Sequence, residues 1–316
     1  MASTTKLEVL TDLSPLIKVY TERLLGTPYV SPSAQDTTVA SKDITISSNV
    51  SVRLFLPKLS DPTQKLPILV YYRGGGFCVE SAFSFQYHRY MYLLSAVSGA
   101  LVVSVEYRLA PEHLLPAAYD DSWDALKWVC SHVLDQTHPE NDQWITNHAN
   151  FNRVFIGGDS FGGNITHNMA MRAGSESLPG NVKILGAILS YPHFSGSNPI
   201  GDESPEAITQ HLAYRLWLSA YPSAPNGADN PSINPLADGA PSLSTLGLSK
   251  LIVNLAGDDD FTPRGLAYAD GVKNSGWIGE LEVLVAEGEG HCYHITDPET
   301  EKAKNLIKHL ASFISR

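Results

Sequence analysis

The sequence predicts an α/β fold, a mostly parallel sheet with helices packed on both faces. One observation is a series of short, nearly continuous apolar runs: PILVYY (67 to 72), ALVVSVEY (100 to 107), RVFIGG (153 to 158), ILGAILSY (184 to 191), LIVNLA (251 to 256) and LEVLVA (281 to 286). Strands covered on both faces read this way, whereas half-exposed strands alternate. The other is that stretches of helical periodicity lie between these runs, so strand and helix alternate along the chain, as right-handed crossovers between parallel strands require.

The elements follow in order. The first forty residues are mixed and irregular, and 1–40 is expected to be an N-terminal cap segment of a single domain spanning 1–316. DITIS and SVRLFLP alternate apolar and polar residues, which predicts half-buried strands near a sheet edge. Helices are predicted for AAYDDSWDALKWVCSHV (117 to 133), GGNITHNMAMRAG (162 to 174) and PRGLAYADGVKNSG (263 to 276). The last, ETEKAKNLIKHLASFISR, sets Ala303, Leu306, Ile307, Leu310, Phe313 and Ile314 on one face. One segment breaks the rhythm. From about 193–248 the chain is rich in Pro, Ser, Asn and Gly around a short helical patch, TQHLAYRLWLSAYP, and an insertion of this length predicts a lid over a site.

Composition excludes several classes of function. With 43% hydrophobic residues the chain can build a sizeable core, and its net charge of -11 argues against nucleic-acid or acidic-lipid partners, which need a basic footprint. No segment approaches the roughly 20 apolar residues of a membrane span, and the start carries no charged region followed by an apolar stretch, so a cytosolic location is expected. Cys78, Cys130 and Cys292 are widely spaced and odd in number, which suits buried thiols in a reducing compartment better than a disulfide framework or a zinc site. Neither a metal nor a cofactor is expected. The partner is expected to be a small molecule; composition says nothing of oligomeric state.

FIGGDSFGGN carries the chemistry. Gly158, Ser160 and Gly162 form a G-x-S-x-G pattern directly after a predicted strand and before a predicted helix, the context of a nucleophile elbow with the serine hydroxyl exposed on a tight turn. A serine hydroxyl is a weak nucleophile at neutral pH, so it needs a base, and the base an orienting acid. In chain order these should follow as acid, then histidine, each after a late strand. GDDDFTPRG follows LIVNLA and supplies Asp258, Asp259 and Asp260, among which the pattern does not choose. EGEGHCYHI follows LEVLVA and supplies His291 as the expected base, with His294 expected to be a packing or surface histidine at the start of the next element.

Taken together, RGGGFCVESAF, VEYRLAPEHLLPAAYDD, GDSFGGNITHN, GDDDFTPRG and EGEGHCYHI resemble the plant carboxylesterase family, the hormone-sensitive-lipase-like branch of the α/β hydrolases. The resemblance implies the α/β-hydrolase fold with an N-terminal and an inserted cap, and Asp259 as the triad acid behind Gly257. It implies an oxyanion hole from the backbone N–H groups of Gly75, Gly76 and Phe161, with Gly74 shaping the turn. Arg108 and Glu112 are then structural. Arg73 stands where the family usually has histidine, and a buried unpaired guanidinium is too costly to expect, so Arg73 should pair with a carboxylate or turn to water. Arg73, Tyr191, Phe194, Tyr214 and Trp217 are the candidates to line a substrate pocket. The expected activity is hydrolysis of a small carboxylic ester through an acyl-enzyme. The alternative is a dehydratase or cyclase of plant specialised metabolism working in the same cavity. A hormone-receptor role is disfavoured, since receptor members lack the triad histidine and His291 is present here.

Overall fold

A computed structural model describes residues 30–33, 38–134 and 141–316, together with the backbone of two short strands, β1 (Val9–Leu13) and β2 (Ile17–Tyr20), which pair antiparallel. The rest of the cap segment expected over 1–40 lies mostly outside the described residues. In chain order there follow β3 (Val39–Thr45), β4 (Ser51–Pro57), β5 (Leu66–Tyr72), α1 (Phe85–Ser98), β6 (Leu101–Glu106), α2 (Ala117–Ser131), α3 (Gln143–His148), β7 (Ala149–Asp159) and α4 (Phe161–Ser175). Then come β8 (Ile184–Ser190), α5 (Pro205–Gln210), α6 (Leu212–Ala220), β9 (Leu248–Ala256), α7 (Thr262–Asn274), β10 (Glu280–Ala286), α8 (Tyr293–Thr296) and α9 (Glu301–Ser315).

The apolar runs become an eight-stranded sheet in the order β10-β9-β8-β7-β5-β6-β4-β3, parallel from β10 through β6 and antiparallel at β4 and β3. One face packs on α2, α4 and α7, through residues such as Trp123, Ile165 and Tyr268. The other packs on α1 and α9, through Met91, Leu94, Leu306 and Leu310. All six residues predicted for the inner face of the last helix are buried. Among the described residues, no helix is long and apolar enough to cross a membrane.

Two expectations of how strands are covered are corrected. The strand over SVRLFLP lies second from the edge, near it as expected, but is not half-buried, because α1 covers its second face and Val52 through Phe55 are all buried. Its Arg53 is tolerated there because Asp43 on β3 takes Nε and Nη2 at 2.6 and 2.8 Å. Conversely, β10 reads as a covered strand but, among the described residues, lies at the edge with β9 as its sheet neighbour, leaving Val283 and Val285 about two-fifths exposed, at 38% and 40%. A continuous apolar run reports hydrophobicity and not position in the sheet.

Sheet order assembles the site. The chain turns one way from β5 to β6 and then returns to β7 on the other side of β5, so strand order reverses at β5, and crevices form at the carboxyl ends of strands around such a point. Tyr72 at the end of β5 stands opposite Gly158 at the end of β7, which brings the glycine loop beside the elbow. Ala256 and Ala286 end the neighbouring β9 and β10 in register, so the acid and histidine loops also emerge side by side. The 193–248 segment contains α5 and α6, with the helical patch broken at His211, whose ψ of 130° is extended.

Candidate active site

Ser160 is the sharp turn between β7 and α4, with φ 55° and ψ −121°. A non-glycine residue at positive φ costs on the order of 1–3 kcal/mol and persists only where neighbours over-determine it. Here the backbone is pinned on both sides: Ser160 N–H donates to Ser190 O at 2.8 Å, and Ser160 O accepts from His193 N–H at 3.0 Å. Gly158 and Gly162 have no room for a side chain. A Cβ on Gly158 would collide with Gly162 O, and one on Gly162 with Tyr72 O. These glycines let the turn close against the end of β5.

The acid and histidine loops meet as the chain order predicts. Asp259 accepts from Phe261 N–H at its Oδ1 (3.0 Å), and its Oδ2 lies 2.7 Å from His291 Nδ1. Asp258 N–H donates to Glu289 O at 2.9 Å, tying the two loops by backbone. The Asp259 side chain is 4% exposed and that of His291 37%, so the carboxylate is dry while the far side of the imidazole reaches a cavity. Phe261 and Tyr191 flank the ring, with centroids at 4.7 and 5.7 Å. Asp260 is out in solvent, 3.6 Å from His211 Nε2. His294 is buried behind the site with Nδ1 3.1 Å from Tyr191 OH, and burial pushes its pKa down to about 3.

The glycine loop is anchored at its start and turned at its middle. Gly74 N–H donates to Tyr87 OH (2.9 Å) and to Asp159 Oδ1 (3.2 Å), so it points inward. Gly75 and Gly76 take φ of 109° and 63°, a region that favours glycine, and their N–H groups donate to no acceptor among the described residues. Gly75, Gly76, Ser160, Phe161, Asp259 and His291 all border one cavity of about 540 Å3, a volume suited to a metabolite-sized ligand.

Residues 69–295 match the family model described as the alpha/beta hydrolase fold. The chain belongs to the α/β-hydrolase family. It is 51% identical over 322 residues to 2-hydroxyisoflavanone dehydratase of Glycyrrhiza echinata, covering 99% of this chain and 98% of that one. It is 47% identical to tabersonine synthase of Catharanthus roseus, over 97% and 98% of the two chains. Among solved structures it resembles an esterase of Pyrobaculum calidifontis, with a TM-score of 0.70 at 28% identity over 89% of this chain and 86% of that one. The plant relatives agree with the plant carboxylesterase family that the motifs resemble, and the chain is an enzyme of esterase-like fold.

In this α/β hydrolase the residues expected to line the pocket are mostly elsewhere. Arg73, Tyr191 and Trp217 are fully buried and border no part of the cavity that holds Ser160, nor does Gly74. Phe194 and Tyr214 line an adjoining cavity of about 700 Å3 on the other side of Asp259 and Phe261. On the lid helix the reason is helical phase: Ala213 and Leu216 of α6 face the Ser160 cavity, while Trp217 turns into the core, its ring 6.2 Å from that of Phe77. The walls missed from sequence include Leu212, Leu216, His211, Phe261, Tyr87 and Asp159; an i, i+4 pairing along the lid helix was the available signal for the first two.

Arg73 takes the paired course. Its Nε donates to Glu106 (3.2 Å), its Nη1 to Gly74 O (3.1 Å) and Val79 O (2.9 Å), and its guanidinium lies 4.3 Å from the centre of the Tyr107 ring. Tyr107 OH in turn donates to Arg73 O at 2.8 Å. The side chain therefore braces the loop from beneath. Glu106 is the brace's anchor; Arg108 is structural as expected, held by Asp121 at 2.8–2.9 Å. Arg73→Met, which keeps the stem and removes the bonds, is expected to lose about 2–4 kcal/mol in urea unfolding, because Glu106 and two carbonyls lose their donor. A loss below about 0.5 kcal/mol, the level of an ordinary surface change, shows that the brace is dispensable.

Proposed function

We propose that this enzyme hydrolyses a small carboxylic ester through an acyl-enzyme on Ser160. His291 Nε2 takes the proton of Ser160 Oγ as it attacks the acyl carbon. Asp259 holds the proton on Nδ1 and stabilises the imidazolium. The carbonyl oxygen, now negative, receives the N–H groups of Gly75, Gly76 and Phe161. Collapse expels the alcohol, protonated by His291; water then repeats the attack, releasing the acid and restoring Ser160. The observation that carries this reading is the 2.7 Å pairing of His291 with Asp259 at the edge of a cavity that Ser160, Gly75 and Gly76 share. We take 193–248 as the lid over that cavity and, with Cys78, Cys130 and Cys292 all free thiols, the cytosol as its place of action.

A second reading is supported by the likeness to a dehydratase at 51% identity and to tabersonine synthase at 47%. In it His291 acts as a base on carbon or oxygen, and the carboxylate of an acylated metabolite leaves by elimination. One experiment separates the two. Turnover of an acetylated metabolite in heavy-oxygen water puts a heavy oxygen into the acetate when it leaves by hydrolysis of an acyl-enzyme, and none when it leaves by elimination. Labelled acetate, with an acetyl mass on the Ser160 peptide after rapid quenching, is the expected result; unlabelled acetate with an unsaturated product overturns the hydrolytic reading.

A further inference from the structure

Asp159, the residue between Gly158 and the nucleophile, is 2% exposed and has a role that none of the motifs assigns. A carboxylate this deeply buried is costly unless its oxygens are satisfied. They are. Oδ1 accepts from Tyr71 OH at 2.7 Å and from Gly74 N–H at 3.2 Å, and Oδ2 accepts from Tyr87 OH at 2.8 Å with Cys292 Sγ at 3.6 Å. Tyr87 OH closes the ring by accepting from Gly74 N–H at 2.9 Å.

These partners come from separate pieces of the fold: β5, the glycine loop, α1 and the loop that carries His291. The approach is close enough that a Cβ on Gly74 would lie 2.6 Å from Asp159 Oδ2, so the glycine is there to admit the carboxylate. Arg73 and Tyr107 hold the loop by its carbonyls, at Gly74 O, Val79 O and Arg73 O, and Asp159 with Tyr87 holds it by the one inward N–H. A loop gripped on both sides at residues 73 and 74 sets the Gly75 amide, and Gly75 O, which accepts from Cys78 N–H at 3.0 Å and Val79 N–H at 2.9 Å, holds the peptide that carries the Gly76 amide.

We propose that Asp159 is a positioning residue that, with Tyr87, aims the Gly75 and Gly76 N–H groups at the developing oxyanion and locks that loop to the nucleophile turn. Burial raises the pKa of Asp159, against the bonds from Tyr71 and Tyr87, the nearby His291 and the Gly74 amide, all of which favour the charged form. Hydroxyl and amide donors hold both of its oxygens, which suits a geometric clamp. The tyrosine hydroxyls it binds stay protonated as donors, their own pKa values raised by burial first and then by Asp159.

The kinetic consequence rests on the esterase reading; the geometric one does not, and the test reads both. Asp159→Ala is expected to lower kcat on p-nitrophenyl butyrate by about 100-fold, the scale of losing an oxyanion donor, with KM within about threefold. Affinity for a trifluoromethyl ketone, whose adduct carries the oxyanion, should fall in parallel. Tyr87→Phe is expected to show the same split at about a tenth of the size, and Asp159→Asn, which keeps an acceptor for Gly74 N–H, to recover most of the loss. Amide exchange at Gly74, whose N–H the clamp binds, should speed up at least tenfold in Asp159→Ala, and this reads the loop whatever the reaction proves to be. Wild-type hydrolysis with unchanged kcat in the variants, or unchanged loop exchange, overturns the proposal. Absent wild-type hydrolysis with accelerated exchange overturns the esterase reading alone. If Asp159→Ala does not fold, Tyr87→Phe and Asp159→Asn carry the comparison.

Discussion

Ser160→Ala is expected to reduce kcat on small esters by about 10^4- to 10^6-fold while leaving KM within a few-fold, since substrate binding does not use the hydroxyl. The residual rate is that of a site with donors and a base but no nucleophile. The substitution removes one oxygen from a side chain on a turn pinned by Ser190 O and His193 N–H, so the fold and its melting temperature should be retained. The measurement is initial-rate kinetics on p-nitrophenyl acetate and butyrate with purified wild type and variant. Equal rates would show that Ser160 is not the attacking group. The same variant bears on the alternative chemistry: an elimination that uses His291 as base survives loss of the hydroxyl, whereas hydrolysis does not.

Asp259→Asn should cost about 10^4-fold in kcat, nearly as much as the nucleophile, although it changes neither size nor shape. Oδ1 of Asp259 accepts from Phe261 N–H at 3.0 Å, and an asparagine keeps that bond only by turning its NH2 toward His291. Nδ1 of His291, 2.7 Å from the replaced atom, must then accept, which places the ring proton on Nε2, and an Nε2 that carries a proton cannot take one from Ser160. Asp258→Asn and Asp260→Asn do not touch the imidazole and should leave kcat nearly unchanged. A stopped assay on the three variants at one pH distinguishes them; equal losses in all three would mean that the loop's charge, not the tautomer of His291, supports catalysis.

Much of the fold was legible because it is carried by local pattern. Apolar runs marked the strands from β5 onward and helical periodicity marked α2, α4, α7 and α9, with bounds off by a residue or two except at the starts of β7 and β9, which begin four and three residues earlier. The helix α1, FQYHRYMYLLSAVS, was not read because its aromatic and polar residues give a weakly amphipathic pattern, yet it supplies Tyr87 to the glycine loop. The pocket residues were the least legible. Aromatic identity pointed to Tyr191, Phe194, Tyr214 and Trp217, but the phase of α6 and the packing behind His291 decide which surfaces open to the cavity. The two corrected strands make the same point, since SVRLFLP is covered on both faces and LEVLVA is at the edge.

What the sequence by itself determined is the α/β architecture and the elbow at Ser160, because a strand, a turn that needs glycine and a helix are local consequences of residues next to one another. The order of acid and histidine loops along the chain belongs to the same class. Tertiary structure alone decided that Asp259 pairs with His291 while Asp260 meets solvent, and that Arg73 braces the glycine loop through Glu106. It also decided that Asp159 joins Tyr71, Gly74 and Tyr87 across separate elements. These are contacts between residues distant in the chain, and their partners follow from strand order and helix phase: a carboxylate or guanidinium is defined by its charge in the sequence, but its role by which donors and acceptors the fold brings within 3 Å of it.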